Sequence, residues 1–211
     1  MRYPDSPLAD PRVRQALNKA INRDELNKAM FNGKGQTMIL NHFHPNREGW
    51  NPDWEKQFPQ MYGYDPAAAK KLLADAGQSN LKTTIMLGTA AGVTNANDIA
   101  EAIAGYWKAI GVNVELQNID PGEKQALSRQ QKLSNHSEIA GTSSALLFGS
   151  AVWNANVGRS STYQSVEDPE VDTVLFDLYK QMDPAKQEPL FRKLGDLMYS
   201  KFMNIHLFWP V

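Results

Sequence analysis

The segment 142–166 combines aromatic rings with side-chain amides and contains no Asp or Glu. Aromatic faces stack on apolar or sugar-like surfaces, and amides donate and accept hydrogen bonds. This set of side chains therefore suits a neutral, hydroxyl-rich or apolar ligand. The candidate ligand-binding residues of the segment are Phe148, Trp153, Asn154, Asn156 and its single charged residue, Arg159. The structural alternative is that Trp153 packs in the core and the asparagines cap turns.

A second long segment, 35–64, offers Asn46 and Trp50 as further candidate ligand-binding residues. The segment follows neither a helical nor a strand period and is interrupted by prolines and glycines, which predicts a loop. A compact domain rarely carries loops this long unless they are functional. Trp50 therefore either stacks on a ligand or covers the core from the surface.

Other kinds of chemistry find little support in the residues. His42 and His44 would lie on one side of an extended chain, which is half of a metal site, but no third His or carboxylate cluster lies nearby. The chain has no Cys, and no Gly-x-Ser-x-Gly nucleophile turn occurs. We therefore predict no catalytic residue, no metal and no cofactor.

The elements that would position these segments are marked by Asp-Pro pairs. Asp is a good helix N-cap, and Pro suits the first helical position because its missing N–H needs no partner there. Five predicted helices begin in this way, after Asp10, Asp65, Asp120, Asp168 and Asp183. A sixth helix, predicted at 99–110, has no such start. It places Trp107 on its apolar face, in the core.

Predicted strands lie between the helices, at 81–87, 112–116, within 137–148 and at 205–209. Strands that alternate with helices in this order predict an α/β fold, a central and mostly buried sheet flanked by helices. Trp209, in the last strand, is predicted to be structural rather than ligand-facing. We predict a single domain, 1–211.

The composition excludes several function classes. Net charge is −1 over 211 residues, with 42% apolar and 21% charged residues, so no field attracts nucleic acid. The sequence contains no run of 18 apolar residues, which is about the length that a membrane-spanning helix needs. The first residues lack the apolar core of a signal peptide, which in an excised lobe would mean only that the signal lay upstream.

Three motifs resemble those of a known family. Residues 10–24 read Asp-Pro-x-Val-Arg-x-Ala-Leu-x-x-Ala-Ile-x-Arg-Asp, and residues 64–77 read Tyr-Asp-Pro-x-x-Ala-Lys-x-Leu-Leu-x-x-Ala-Gly. Residues 110–116 follow with Ile-Gly-Val-x-Val-x-Leu. In this order they resemble the C-terminal lobe of the family 5 extracellular solute-binding proteins, the receptors of ABC importers for peptides, nickel and oligosaccharides.

The resemblance implies a function by binding. Such receptors have two lobes joined at a hinge and trap a ligand as the lobes close. The chain would be one lobe of a periplasmic-binding-protein-like fold, with both ends near the hinge. Its implied partners are a solute, the missing N-terminal lobe and the membrane permease of an ABC transporter. The implied location is periplasmic or extracellular, either membrane-anchored or secreted.

The resemblance also bears on the ligand. In peptide-binding members, an acidic residue in the loop that corresponds to 142–166 holds the peptide's α-amino group. Since that segment has no acid here, a buried ammonium would be unpaired, which costs several kcal/mol. We therefore favour a neutral solute such as an oligosaccharide over a peptide. The alternatives are a peptide-binding lobe, a small α/β enzyme with its site in 35–64 and 142–166, and a protein-interaction module.

Overall fold

The computed structural model describes residues 3–88, 90, 92–139 and 168–209. Within them the helices are α1 (Pro11–Lys19), α2 (Arg23–Phe31), α3 (Asp53–Tyr62), α4 (Pro66–Asp75), α5 (Ala96–Ala109), α6 (Pro121–Arg129), α7 (Pro169–Lys180) and α8 (Pro184–Ser200), and a 3-10 turn, Pro7–Ala9, precedes α1. The strands are β1 (Gln36–Thr37), β2 (Lys82–Leu87), β3 (Asn113–Asn118), β4 (His136–Glu138) and β5 (Phe208–Trp209). No helix in these described ranges is long and apolar enough to cross a membrane.

Aspartate followed by proline starts five of these helices, as the sequence predicts. At each start the carboxylate accepts a hydrogen bond from a backbone N–H of the first turn, and the proline occupies a position that needs no donor. The capping residues are Asp10, Asp65, Asp120, Asp168 and Asp183. Local sequence thus fixes where most of the helical scaffold begins.

Strand β2 is the centre of a three-stranded parallel sheet, with β3 on one side and β4 on the other. The register pairs Lys82 with Asn113 and Leu87 with Asn118, so β2 and β3 end together. Helix α5 makes the crossover that two parallel strands require. The carboxyl ends of β2, β3 and β4 therefore share one edge of the sheet, which we call the carboxyl edge.

Helices α1, α2, α4 and α5 pack with this sheet around a first core. Its large buried side chains are Val13, Leu17, Ile21, Leu26, Leu73, Leu81, Ile85, Ile103 and Trp107. The indole of Trp107 is 2% exposed, and its Nε1 donates to the backbone oxygen of Leu17 at 3.0 Å. The prediction that Trp107 belongs to the core is confirmed.

Helices α3, α7 and α8 enclose a second core that is rich in aromatic rings. Its members include Phe43, Trp54, Phe58, Tyr62, Leu178, Phe191, Leu194 and Tyr199. Hydrogen bonds cross this core: the hydroxyl of Tyr199 donates to the backbone oxygen of Trp54 at 2.9 Å, and that of Tyr62 donates to the backbone oxygen of Tyr199. A buried Tyr hydroxyl needs a hydrogen-bond partner, and these two bonds join α3 to α8.

Arg23, the first residue of α2, links the two cores. Its guanidinium donates to the backbone oxygens of Asn18 (3.1 Å), Tyr62 (3.0 Å) and His206 (2.8 Å), and to the side-chain oxygen of Asn18 (3.0 Å). Burial lowers the pKa of Arg23 to about 10, so the side chain stays charged at neutral pH. One cation thus ties together α1, the end of α3 and the segment before β5.

His206 is also buried beside this cation. The backbone N–H of Asn41 donates to its Nδ1 at 3.2 Å. Burial, with added repulsion from Arg23 and His42, lowers the pKa of His206 to about 3. The imidazole is therefore neutral at physiological pH and acts as a hydrogen-bond acceptor for the chain that precedes α3.

Three predictions about the segment 35–64 and the sheet are wrong. The predicted loop contains β1 and helix α3, whose buried Trp54, Phe58 and Tyr62 recur every four residues. Pro59 inside α3 hides this period in the sequence. Strands β1 and β5 form a separate antiparallel pair, so the described residues hold two sheets rather than one. His42 has a φ of 70°, so the chain from His42 to His44 turns instead of running extended.

The charge of Asp168 is expected to stabilise the junction of α7 with the end of α8. Lys201 Nζ lies 2.6 Å from Asp168 Oδ2. Partial burial acts to raise the pKa of Asp168, but hydrogen bonds from Lys201 and the amides of Glu170 and Val171 outweigh it and hold the pKa below its ordinary value. A carboxylate of depressed pKa stabilises the fold above its unfolded pKa of about 3.9, and this contribution is lost as the pH falls through the lower folded value.

Asp168→Asn keeps a capping oxygen and removes the charge. We expect the free energy of unfolding to fall by about 1 kcal/mol at pH 7 and by much less near pH 3. Urea denaturation at the two pH values measures the difference. The control is Asp183→Asn, at a more exposed helix cap whose Oδ2 lies 4.0 Å from Lys186 Nζ. A smaller change in the free energy of unfolding is expected there. An equal loss for Asp168→Asn at both pH values would contradict the role of the charge.

Candidate functional site

A cavity of about 240 Å³ opens at the carboxyl edge, between the end of β2 and the start of α5. Its lining residues are Gly88, Ala90, Gly92, Val93, Thr94, Ala96 and Asn97. None of them is charged, and Thr94 and Asn97 supply the polar side chains. In open α/β sheets, ligands bind outside the carboxyl ends of the strands, so this position fits a ligand site.

The cavity wall is held by a tight turn and a side-chain hydrogen bond. Val93 N–H donates to the backbone oxygen of Ala90 at 3.0 Å, and Gly92 adopts the positive φ of 76° that the turn requires. Asn97 Oδ1 accepts from Gly88 N–H at 3.0 Å, which ties the first turn of α5 to the end of β2. These two bonds join described residues of the cavity lining to one another.

The start of α5 adds hydrogen-bond donors to this site. Asn95 precedes the helix, but its side chain does not cap it; instead its Nδ2 donates to the backbone oxygen of Met30 at 3.4 Å. The first turn of α5 therefore lacks a side-chain cap, and its N–H groups can bind an acceptor atom of a ligand. With Thr94 and Asn97, the site offers neutral donors and acceptors against small apolar residues.

The sequence contained a signal for this cavity that our sequence analysis did not use. Segment 88–97 is rich in Gly, Ala, Thr and Asn and connects a predicted strand to a predicted helix. In a parallel sheet such a connection must lie at the carboxyl ends of the strands. The greater length of segments 35–64 and 142–166 predicted the site there instead.

The predicted residues of segment 142–166 lie outside the described residues. These are Phe148, Trp153, Asn154, Asn156 and Arg159, and their role stays a prediction. Strand β4 ends at Glu138, at the carboxyl edge, and segment 142–166 follows it closely in the chain.

Trp50 lies in a different cleft, of about 300 Å³, beside the β1–β5 pair. The cleft is lined by Gln36, Thr37, Ile39, Pro45, Trp50, Glu55 and Trp209. Trp50 is half-buried and makes a T-shaped ring contact with Trp54 of the second core, with ring centroids 5.3 Å apart. It thus both covers the core and faces an open space, so the two sequence-based alternatives are compatible.

The other candidates of this region are placed differently. Asn46 lines neither the cavity nor the Trp50 cleft, and its N–H lies 3.4 Å from Nδ1 of His44. Trp209 is 9% exposed and pairs with Gln36 in the β1–β5 register, as a structural residue would, but its ring also lines the cleft. Across the part of the chain that the structure describes, no three His, Asp or Glu side chains are grouped to hold a metal ion.

Comparison with known proteins decides the family. The sequence model of the bacterial extracellular solute-binding proteins, family 5 Middle, matches residues 1–185. The chain belongs to this family. The prediction from the three motifs is confirmed, and the α/β architecture of a family 5 protein accounts for the parallel sheet and its helices.

Two curated relatives of this family 5 chain are binding proteins by name. The glutathione-binding protein GsiB of Pectobacterium atrosepticum is 28% identical over 215 residues, which cover 95% of the chain and 39% of the relative. A dipeptide-binding protein of Escherichia coli is 35% identical over 120 residues, or 56% of the chain and 21% of the relative. The family 5 chain thus spans at most about two-fifths of the length of these relatives, a proportion that fits one lobe of a larger protein.

A solved structure shows the same fold. The periplasmic binding protein DppA from Helicobacter pylori, in complex with a peptide, aligns with a TM-score of 0.75 at 22% identity. The alignment covers 100% of the family 5 chain and 40% of that protein. The predicted fold class, an α/β lobe of the periplasmic-binding-protein type, is confirmed.

Proposed function

We propose that the chain is the C-terminal lobe of a solute-binding receptor and that it holds the solute at the carboxyl edge of its parallel sheet. The observation that carries this proposal is the family 5 match over residues 1–185, combined with the uncharged cavity between β2 and α5. A second, N-terminal lobe would form the opposite wall of the site and close over the solute about a hinge.

The solute class follows from two kinds of support. The names of the relatives concern glutathione and dipeptides, which favours a small peptide-like solute. The uncharged cavity lining and the absence of acids in 142–166 favour a neutral solute such as an oligosaccharide. We propose a peptide-like solute, whose backbone amides match the neutral donors and acceptors of Thr94, Asn97 and the α5 amides, and keep the neutral solute as the second candidate.

The proposed partner of the receptor is the membrane permease of an ABC importer, and its proposed location is periplasmic or extracellular. The family description as extracellular solute-binding proteins supports the location. The proposed activity is binding and delivery rather than catalysis, in line with relatives that are named as binding proteins. A fractionation experiment distinguishes a secreted receptor from a membrane-anchored one.

Isothermal titration of the 211-residue chain with a dipeptide, glutathione and a neutral disaccharide tests the proposal. We expect weak, saturable binding of the peptide-like solutes, with a Kd on the order of 1 mM, because a single lobe supplies only part of the contacts. Saturable binding of the disaccharide alone would favour the second candidate. Tight binding by this chain alone, or no binding of any solute, would contradict the proposal of a half-site.

Gly88→Phe tests the location of the site. A side chain at Gly88 meets no atom within 4 Å of its Cβ, so the ring is expected to enter the cavity without displacing the backbone. We expect solute affinity to fall at least about tenfold. The matched control is Gly105→Phe, at an exposed position of α5 with equally open surroundings, which should leave affinity unchanged.

A further inference from the structure

We propose that the Trp50 cleft binds the ammonium group of an organic cation. Two tryptophans and one carboxylate, Trp50, Trp209 and Glu55, line this space of about 300 Å³ beside the β1–β5 pair. The proposal concerns a different cavity from the one at the carboxyl edge and does not depend on the solute proposed there.

Both indoles are held in place before any ligand arrives. The rings of Trp50 and Trp54 make a T-shaped contact at an interplanar angle of 84°, and Trp54 Nε1–H donates to Asp196 Oδ1 at 2.8 Å. Trp209 is held by the β1–β5 pairing and by the ring of His44, whose centroid lies 5.7 Å away. Because both side chains are already ordered, binding loses little side-chain conformational entropy.

Glu55 gives the described lining of the cleft a negative charge. It is exposed in the first turn of α3 and makes no hydrogen bond or ion pair within the described ranges. The adjacent cation along the chain, Lys56, is engaged by Asp53 at 2.7 Å. The only charged side chain among the seven that line the cleft is therefore a carboxylate without a cation.

This combination selects a cation over a neutral ligand. The face of an indole attracts an ammonium through the ring quadrupole, and Trp is the best of the aromatic residues for this purpose. The nearby carboxylate of Glu55 adds a Coulomb attraction, which solvent moderates because this side chain is exposed. Gln36 and Thr37 supply hydrogen-bond acceptors for the N–H groups of a primary ammonium.

The ammonium group could be carried by the transported solute or by a separate small molecule. Both sources share the chemistry proposed here. A competition experiment distinguishes the two sources. If the solute places its own ammonium group in the cleft, an excess of a simple ammonium ion displaces the solute. If the solute is held only at the carboxyl edge, the ammonium ion does not displace it. Either result leaves the cleft an ammonium site.

The test is titration of the chain with tetramethylammonium chloride, followed through the indole ¹H–¹⁵N signals. We expect saturable shifts of the Trp50 and Trp209 signals, assigned with Trp50→Phe and Trp209→Phe, and none of the buried Trp107 signal. tert-Butanol, a neutral molecule of similar size, and sodium chloride of equal ionic strength should give no saturable shift. Butylammonium should give the same pattern as tetramethylammonium.

Glu55→Gln is expected to weaken tetramethylammonium binding about threefold to tenfold. Glu101→Gln is the matched control, since it removes the same charge from an exposed position on α5 and should leave the affinity unchanged. An unchanged Trp107 signal shows that each variant is folded. The proposal is overturned if Glu55→Gln binds as the wild type does, or if tert-butanol shifts the two indoles as strongly as the cation.

Discussion

Replacing Arg23 by alanine is expected to lower the free energy of unfolding by about 3–5 kcal/mol. The guanidinium saturates three backbone oxygens and one amide oxygen, on Asn18, Tyr62 and His206. Without it the backbone oxygens of Tyr62 and His206 and the side-chain oxygen of Asn18 lose this donor inside the protein, and the stacking over the Phe58 ring, at 5.5 Å, is lost. Urea denaturation measures the change.

The control for this substitution is Arg192→Ala, at an exposed i,i+4 pair with Glu188 on α8. Such surface pairs contribute little, so a change of about 0.5 kcal/mol or less is expected. Arg23→Lys keeps the charge but loses the fork of donors, and should fall between the two. A loss below about 1 kcal/mol for Arg23→Ala would show that the cation does not hold the two cores together.

Gly195→Ala is expected to destabilise the protein by about 1–3 kcal/mol, although alanine normally favours a helix. A Cβ at this position of α8 would lie 2.3 Å and 2.6 Å from two ring atoms of Trp54, and 3.2 Å from Phe43. Trp54 cannot retreat easily because its Nε1 is bonded to Asp196. The close approach of α8 to the indole therefore requires a glycine.

Gly105→Ala provides a control of opposite sign. Gly105 is also inside a helix, α5, but nothing lies within 4 Å of its added Cβ. We expect it to stabilise the protein by about 0.5–1 kcal/mol. Thermal or urea unfolding of the two variants compares the effects directly. If both substitutions stabilise, the packing of α8 against Trp54 is looser than described.

Arg23 and Trp54 also bear on the proposed ammonium site, because they contact elements that carry the walls of the Trp50 cleft. Arg23 anchors the backbone of His206, two residues before β5, and β5 carries Trp209. Trp54 makes a T-shaped ring contact with Trp50. The positions with the largest expected effects on stability are thus the ones that preorganise the two indoles.

The helix starts were the most predictable part of the fold. Asp-Pro is a local signal: the carboxylate and the proline ring act on backbone atoms within the same turn, so tertiary packing need not be known. The parallel strands β2 and β3 were also predictable, because alternation in 112–116 depends only on which face is buried. Resemblance to the family 5 motifs then added the family, which periodicity alone could not supply.

Helix α3 and the cavity at the carboxyl edge were not predicted, for different reasons. In α3, the buried Trp54, Phe58 and Tyr62 have helical spacing, but Pro59 within the same turns is normally a helix breaker. The helix forms because three aromatic side chains are buried in the second core, a gain that only tertiary structure reveals. The cavity depends on parallel pairing, since segment 88–97 lies at the carboxyl edge because β2 and β3 run parallel.

Amide chemical-shift mapping of the solute that binds best in calorimetry tests the central claim most directly. The account predicts the largest saturable shifts at residues 88–97, in the loop that joins β2 to α5 and lines the cavity, and their loss in Gly88→Phe. Saturable shifts that cluster elsewhere, with residues 88–97 unaffected, would contradict a solute site at the carboxyl edge of the sheet.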